Sequence, residues 1–228
     1  MGYFNEKNFN KFKAALFAYR DEIAAGARLS VSISKDNIKM GNVASVSLLP
    51  IFSCHCRCRE TCRDKCYAVK LVALRPPVRD AYARNTALAM YAPENYWQQI
   101  RGAALAFRYF RFHVSGDILN RAYFAEMIET ARAIPGTNFI AFTKKYEIVN
   151  AWIAENGELP GNLKILFSGW TNLVPENPHG LPETTVYARA QDFKPEWKSC
   201  GGNCFNCACR GLGCWQAKAG DIIAFKMH

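Results

Sequence analysis

Cysteine placement constrains this chain more than any other feature: of its ten cysteines, five fall in residues 54–66 and five in residues 200–214, and the stretch between holds none. Structural cysteines are distributed like other small apolar residues. Two tight groups are not that distribution, and they predict two places where the fold gathers thiols. Residues 1–29 carry Glu6, Lys7, Lys11, Lys13, Arg20, Asp21 and Glu22 spread through them, so they lack the uninterrupted apolar stretch of a signal peptide. The expected setting is a reducing cytosol, where structural disulfides are rare and clustered thiols hold metal.

Apolar residues make up 50% of the chain, aromatics 13% and charged residues 21%, the balance of a folded globule and not of a disordered, collagen-like or coiled-coil chain. The longest apolar runs, such as residues 69–74 and 102–107, fall well short of the roughly 18–20 residues of a membrane span, so no membrane partner is expected. A formal charge of +10 admits nucleic acid as a partner. That count omits thiolates, which add negative charge wherever metal is bound.

In residues 5–26, Phe9, Phe12, Leu16, Tyr19 and Ile23 recur at three- and four-residue spacings and predict an amphipathic helix closed by Gly26. Two short β-like runs follow at 29–34 and 43–49, separated by turn-forming residues at 35–37 and 41–42. After Cys66 a helix is expected to about residue 73, then a break at Pro76 and Pro77, a second helix over 79–91, and a third opening on Pro93. Further on, strands at 110–114, 139–142, 163–167 and 184–188 alternate with helices at 121–134 and 146–155. Such alternation marks parallel βαβ construction, and four or five units in about 140 residues predict an α/β fold of incomplete (partial) β/α barrel type. One domain is expected over residues 1–190. The cysteine-rich extension 191–228 packs on it and closes with a short strand at 221–225.

Polar clusters follow the strands: Ser115-Gly116-Asp117, Thr143-Lys144-Lys145 and Ser168-Gly169-Trp170. In parallel α/β folds this is the edge where active sites assemble. Asp117 can hydrogen-bond a ribose or an amino group, and Lys144 or Lys145 can pair with a carboxylate or phosphate. Asp117 and Lys144 are the candidate catalytic residues; Ser115, Thr143, Lys145 and Ser168 join them as candidate cofactor-binding residues. His113 reads as a core histidine in an apolar strand, and His55, amid cysteines, as a candidate ligand. Residues 101–112 interleave Arg101, Arg108 and Arg111 with Phe107, Tyr109, Phe110 and Phe112, a pattern that can clamp nucleic acid. A core helix running into a core strand explains it as well, and is preferred.

Cys54, Cys58, Cys62 and Cys66 recur every four residues, too many thiols in one loop for a simple zinc finger. An iron–sulfur cluster suits them better, with Arg57, Arg59, Arg63 and Lys65 stabilising its negative charge. A zinc-stabilised loop is the alternative. Cys200, Cys204, Cys207 and Cys214 read as a complete four-thiolate site, for either an auxiliary cluster or structural zinc. Glycines at 201, 202, 211 and 213 let the backbone wrap closely round it.

The run Ser47-Leu-Leu-Pro, the spacing Cys54…Cys62-x-x-x-Cys66-Tyr-Ala, the strand ends Phe112-His-Val-Ser-Gly-Asp117 and Phe142-Thr-Lys-Lys145, and the cysteine tail ending in Cys214-Trp resemble the gene product 88 family of phages and plasmids. This resemblance covers most of residues 32–228. More distantly, a Cys-Tyr-Ala ending to a cysteine loop, a strand ending in Ser-x-Asp and another in Thr-Lys resemble radical S-adenosylmethionine-like phage proteins. That likeness implies a [4Fe-4S] cluster on Cys62 and Cys66 with Cys54 or Cys58, one iron being left for the amino and carboxyl groups of S-adenosylmethionine. It implies the host cytosol as location. The chain thus reads as an iron–sulfur protein of phage or plasmid origin, a radical S-adenosylmethionine-like enzyme with a second, C-terminal metal site. The alternative is a zinc- or iron–sulfur-stabilised nucleic-acid-binding protein without catalysis.

Overall fold

Asn5 opens α1 (Glu6–Ala24): its side chain accepts the Asn8 N–H at 2.9 Å, and the helix buries Phe12 and Leu16 as its spacing predicts. The computed structural model describes residues 3–35 and 38–227, so Asp36 and Asn37 of the expected turn lie outside the described residues. The second turn stands where expected, with Gly41 at φ 59°.

The chain builds one eight-stranded sheet from β1 (Ile33–Ser34), β2 (Ala44–Val46), β3 (Tyr109–Phe112), β4 (Asn138–Thr143), β5 (Leu163–Ser168), β6 (Glu183–Tyr187), β7 (Lys198–Ser199) and β8 (Ile222–Lys226). Its order is β1-β2-β3-β4-β5-β6-β8-β7. Only β1 and β2 pair antiparallel; every other neighbour is parallel, with Phe112 beside Ala141 and Ala141 beside Ile165. Parallel neighbours need crossovers; α2 (Tyr67–Leu74), α3 (Pro76–Tyr91), α4 (Pro93–Ala104), α5 (Arg121–Ala133) and α6 (Tyr146–Asn156) supply those from β2 to β5, and residues 169–182 carry the chain from β5 to β6 without a helix. The mixed α/β class is as expected. Among the described residues no helix is long and apolar enough to cross a membrane.

Alternation along the strands divides the core in two. Phe110, Phe112, Phe139, Ala141, Ile165 and Phe167 face one way and pack under Trp97, Ile100, Phe124 and Met127 of α4 and α5. Ile140, Leu166 and Ile223 face the other way and are covered by Ala208, Trp215 and Ala217 of the cysteine-rich extension. Residues of the extension thus lie against the face of the sheet opposite α4 and α5. Phe12 and Leu16 of α1 form a third cluster with Val69, Val72 and Ala83.

Three expectations need correction. The expected break is present but falls at Arg75, and Pro76 and Pro77 form the first turn of α3, where a missing N–H costs nothing and φ is already helical. His113 is buried, yet it stands past the end of β3 in the left-handed region at φ 58°. The extension also contains the six-residue helix α7 (Cys204–Cys209) and the short strand β7, neither of which the sequence announces.

Candidate metal centres

The loop that carries the first cysteine group leaves β2 and folds over the C-terminal ends of the parallel strands. Its base is pinned to the turn after β3: Leu48 N–H donates to the Ser115 carbonyl at 2.9 Å, Ser115 Oγ to the Leu48 carbonyl at 3.0 Å, and Asp117 N–H to Ser53 Oγ at 3.4 Å. Gly116 sits in this contact at φ 86°, where a Cβ would lie 2.5 Å from Ser53 Oγ. Only glycine fits there.

Farther out, the loop reaches across β4 and β5. Arg57 Nη1 donates to the Lys144 carbonyl at 3.1 Å and to Glu147 Oε2 at 2.8 Å, and Asn172 Nδ2 to the Glu60 carbonyl at 3.1 Å. His55 is occupied in this clamp: its Nδ1 accepts the Arg57 N–H at 3.1 Å while Nε2 faces Glu147 at 3.2 Å. Both ring nitrogens thus have protein partners, which places His55 in the loop's scaffold and not among free donors.

Cys54, Cys58, Cys62 and Cys66 are all partly buried and Cys56 is exposed. The hydrogen bond with Cys54, aided by burial, pushes the Cys58 thiol up to about 12. Cys62 is pushed up by its hydrogen bond with Cys58 and by burial, and Cys66 by burial. Lys144 opposes the shift at all three thiols, so its ammonium is the shared cation of the group. Ile51 holds φ 77°, unusual for a β-branched residue, and its N–H points to Cys54 Sγ at 3.4 Å.

The strand-end polar residues form one network beneath this loop. Asp117 is 5% exposed; its Oδ1 accepts from Thr143 Oγ1 at 2.6 Å and Ile118 N–H at 2.8 Å, and its Oδ2 from Lys144 N–H at 2.9 Å. Burial pushes the Asp117 carboxyl up and these donors pull it back. Lys144 Nζ donates to Ser168 Oγ at 2.7 Å and lies 5.8 Å from the Trp170 ring centroid. Lys145 Nζ instead donates to the Leu119 carbonyl at 2.8 Å, away from Lys144 Nζ's partner. Asp117, Thr143, Lys144 and Ser168 are thus linked in one hydrogen-bond network. Ser115 and Lys145 are committed to backbone contacts.

The second group lies against the other face of the sheet. Cys200 continues β7, with its N–H on the Ala224 carbonyl at 3.0 Å. Cys204 and Cys207 stand three apart on α7 and so share a face, whereas Cys209 is exposed. The four thiols of Cys200, Cys204, Cys207 and Cys214 line one cavity of about 30 Å³. Gly201 and Gly213 press on it: a Cβ at 201 would come within 2.9 Å of Cys207 Sγ, and one at 213 within 3.2 Å. Burial pushes Cys214 up to about 12 and raises Cys204 as well. Trp215 Nε1 closes the site by donating to the Cys204 carbonyl at 3.1 Å.

Both donor sets have the chemistry of metal or cluster ligands. Among the described residues no group of three or more His, Cys, Asp or Glu side chains stands close enough together to hold a metal ion. Thiols this protonated give up their protons when metal binds. Glu147 carries no signal in the sequence, and the pattern that holds Arg111 gives it no place at a thiol site. Phe110 and Phe112 are fully buried, in line with the preferred core reading, and Arg111 turns to the second thiol site.

These features define an α/β protein with a thiol-rich loop folded over the exit ends of a parallel sheet. The chain belongs to the gene product 88 family, whose sequence pattern matches residues 19–197, and this fits the expected phage or plasmid origin. The match takes in the first cysteine group and ends before Cys200, so the cysteine tail thought to share the resemblance lies outside it. No curated protein and no solved structure matches the chain.

Proposed function

We propose that this chain is an iron–sulfur enzyme of radical S-adenosylmethionine-like type on an incomplete β/α barrel, with a [4Fe-4S] cluster in the loop of Cys54, Cys58, Cys62 and Cys66 and a second metal, cluster or zinc, in the C-terminal thiol site. The observation that carries it is placement. The loop of Cys54, Cys58, Cys62 and Cys66 lies at the strand ends, with the charge of Lys144 acting on Cys58, Cys62 and Cys66 and the network of Asp117, Thr143 and Ser168 at the same edge. The sequential order of the strands from β2 to β6, with helices on one face, suits barrel-type winding.

In this reading Cys62 and Cys66, with Cys54 or Cys58, hold the cluster. The group supplies one-electron chemistry when bound. Lys144 offsets the negative charge of the thiolates and can meet a ligand carboxylate, held ready by Ser168. Asp117 serves by position: its carboxylate fixes Thr143 and the Lys144 backbone, which aims the lysine at the loop. The raised thiols keep the loop neutral until metal displaces their protons.

Anaerobic purification tests this reading. Brown protein with about four to eight irons per chain is expected, and S-adenosylmethionine should perturb the EPR spectrum of the reduced cluster. Colourless protein containing only zinc would overturn it. Zinc together with a steeply salt-dependent affinity for DNA or RNA would move the chain to the nucleic-acid-binding alternative.

A further inference from the structure

Arg111 stands on β3 between Phe110 and Phe112, but its side chain leaves the opposite face of the strand and lines the cavity of Cys200, Cys204, Cys207 and Cys214. Its guanidinium lies flat enough on Phe142 to bring its carbon 4.5 Å from the ring centroid, and Nη1 donates to the Met40 sulfur at 3.6 Å. The Nε atom is buried with no hydrogen-bond partner. No other Lys, Arg, Asp or Glu among the described residues lines the cavity.

A buried guanidinium with an unused N–H is destabilising unless an anion takes it up. Four thiolates provide one. Around a divalent ion, or around a cluster core of the same charge, they hold a net charge of about −2 in an apolar setting.

We infer that Arg111 is the outer-sphere positioning residue of the C-terminal metal site, donating to the thiolates round Cys204 and offsetting part of their charge from beneath. This rests on the reading of that site as metal-binding. A planar fork stacked on Phe142 can do so from a fixed position, which a lysine ammonium on a flexible stem cannot reproduce.

The test uses the full chain and the metals it carries when purified, with iron and zinc counted per chain and their release to EDTA followed in time. Cys204→Ser identifies the metal held at this site by what is lost. Arg111→Met, which keeps the length and packing of the stem, should lose that metal about 10–100-fold faster, the range for removing an outer-shell partner. Arg111→Lys should recover part of the retention, most clearly at low salt, a rescue that a purely structural role would not give. If the retained metal is iron, Arg111→Met should also move the site's reduction potential to a more negative value. Metal lost from Arg111→Met at the wild-type rate would overturn the role of Arg111 alone. Metal content unchanged by Cys204→Ser would overturn the site, and the inference with it. Should Arg111→Met fail to fold, equal release from Arg111→Lys and the parent chain would still overturn the need for a fork.

Discussion

The two cysteine groups are chemically alike and physically opposite. The first is held by polar anchors at a sheet edge, with Ser53, Arg57 and Glu60 each tied to the turn after a different strand. The second is held by packing, with Ala208, Trp215 and Ala217 pressed on Ile140, Leu166 and Ile223. Lys144, near the first group, belongs to a hydrogen-bonded polar rim, and Arg111, near the second, to an aromatic wall. One group stands at the sheet edge; the other lies on a segment packed against the core.

The largest expected contrast comes from paired substitutions. Cys204→Ser with Cys207→Ser should remove a metal contribution on the order of 10 kcal/mol and free the extension from the sheet, read as loss of hydrogen-exchange protection in β4, β5 and β8. Cys58→Ser with Cys62→Ser should abolish the loop's metal while those strands stay protected. Equal loss of protection in both variants would break the contrast.

Gly116→Ala probes the loop's base. A Cβ would meet Ser53 Oγ at 2.5 Å with the backbone at φ 86°, so a cost of about 3 kcal/mol is expected, together with poorer metal loading of the loop and none lost from the C-terminal site. Urea denaturation and metal counting read the two effects separately.

Acid should weaken the fold through His113. Burial holds its imidazole down to about 3, below the ordinary value of 6.5, so the unfolded chain takes up a proton that the folded one refuses. The stability this residue contributes is full above about pH 6.5 and falls by about 1.4 kcal/mol per pH unit toward pH 3. Asp117, raised by burial, acts with the opposite sign above the ordinary aspartate range. His113→Asn, which tolerates a positive φ, should flatten the slope of unfolding free energy against pH; an unchanged slope would assign it elsewhere.

The smallest effect is expected at the clamp. Glu147→Gln removes the ion pair with Arg57, which is half exposed, and should cost no more than about 1 kcal/mol by urea denaturation. It should nonetheless quicken metal exchange in the loop and leave the C-terminal site unchanged.

Much of this was legible in the sequence for a physical reason: helices α1, α4 and α5 and strands β4 and β5 each carry a clean apolar period or a terminal signal. The Pro76-Pro77 pair announced the break between α2 and α3 but shifted its position, because proline stands in a helix's first turn and not in the gap before it. The gathering of Asp117, Thr143, Lys144 and Ser168 followed from their shared place after strands. Arg111 gave no such signal, since its partners lie about ninety residues along the chain and only the strand's alternation sends it to their face. The extension also escaped notice as secondary structure, because its six-residue helix is too short to show an apolar period.

The position of β8 between β6 and β7 carries a consequence for how the chain is made. Strand β7 leaves the ribosome before the strand it pairs with, and the seat for Ile140 and Leu166 arrives with residues 208–217. Until then the nascent chain exposes a greasy sheet face and an unpaired edge, both of which invite association with other chains. That face closes only once residues 208–217 have emerged and packed on Ile140 and Leu166.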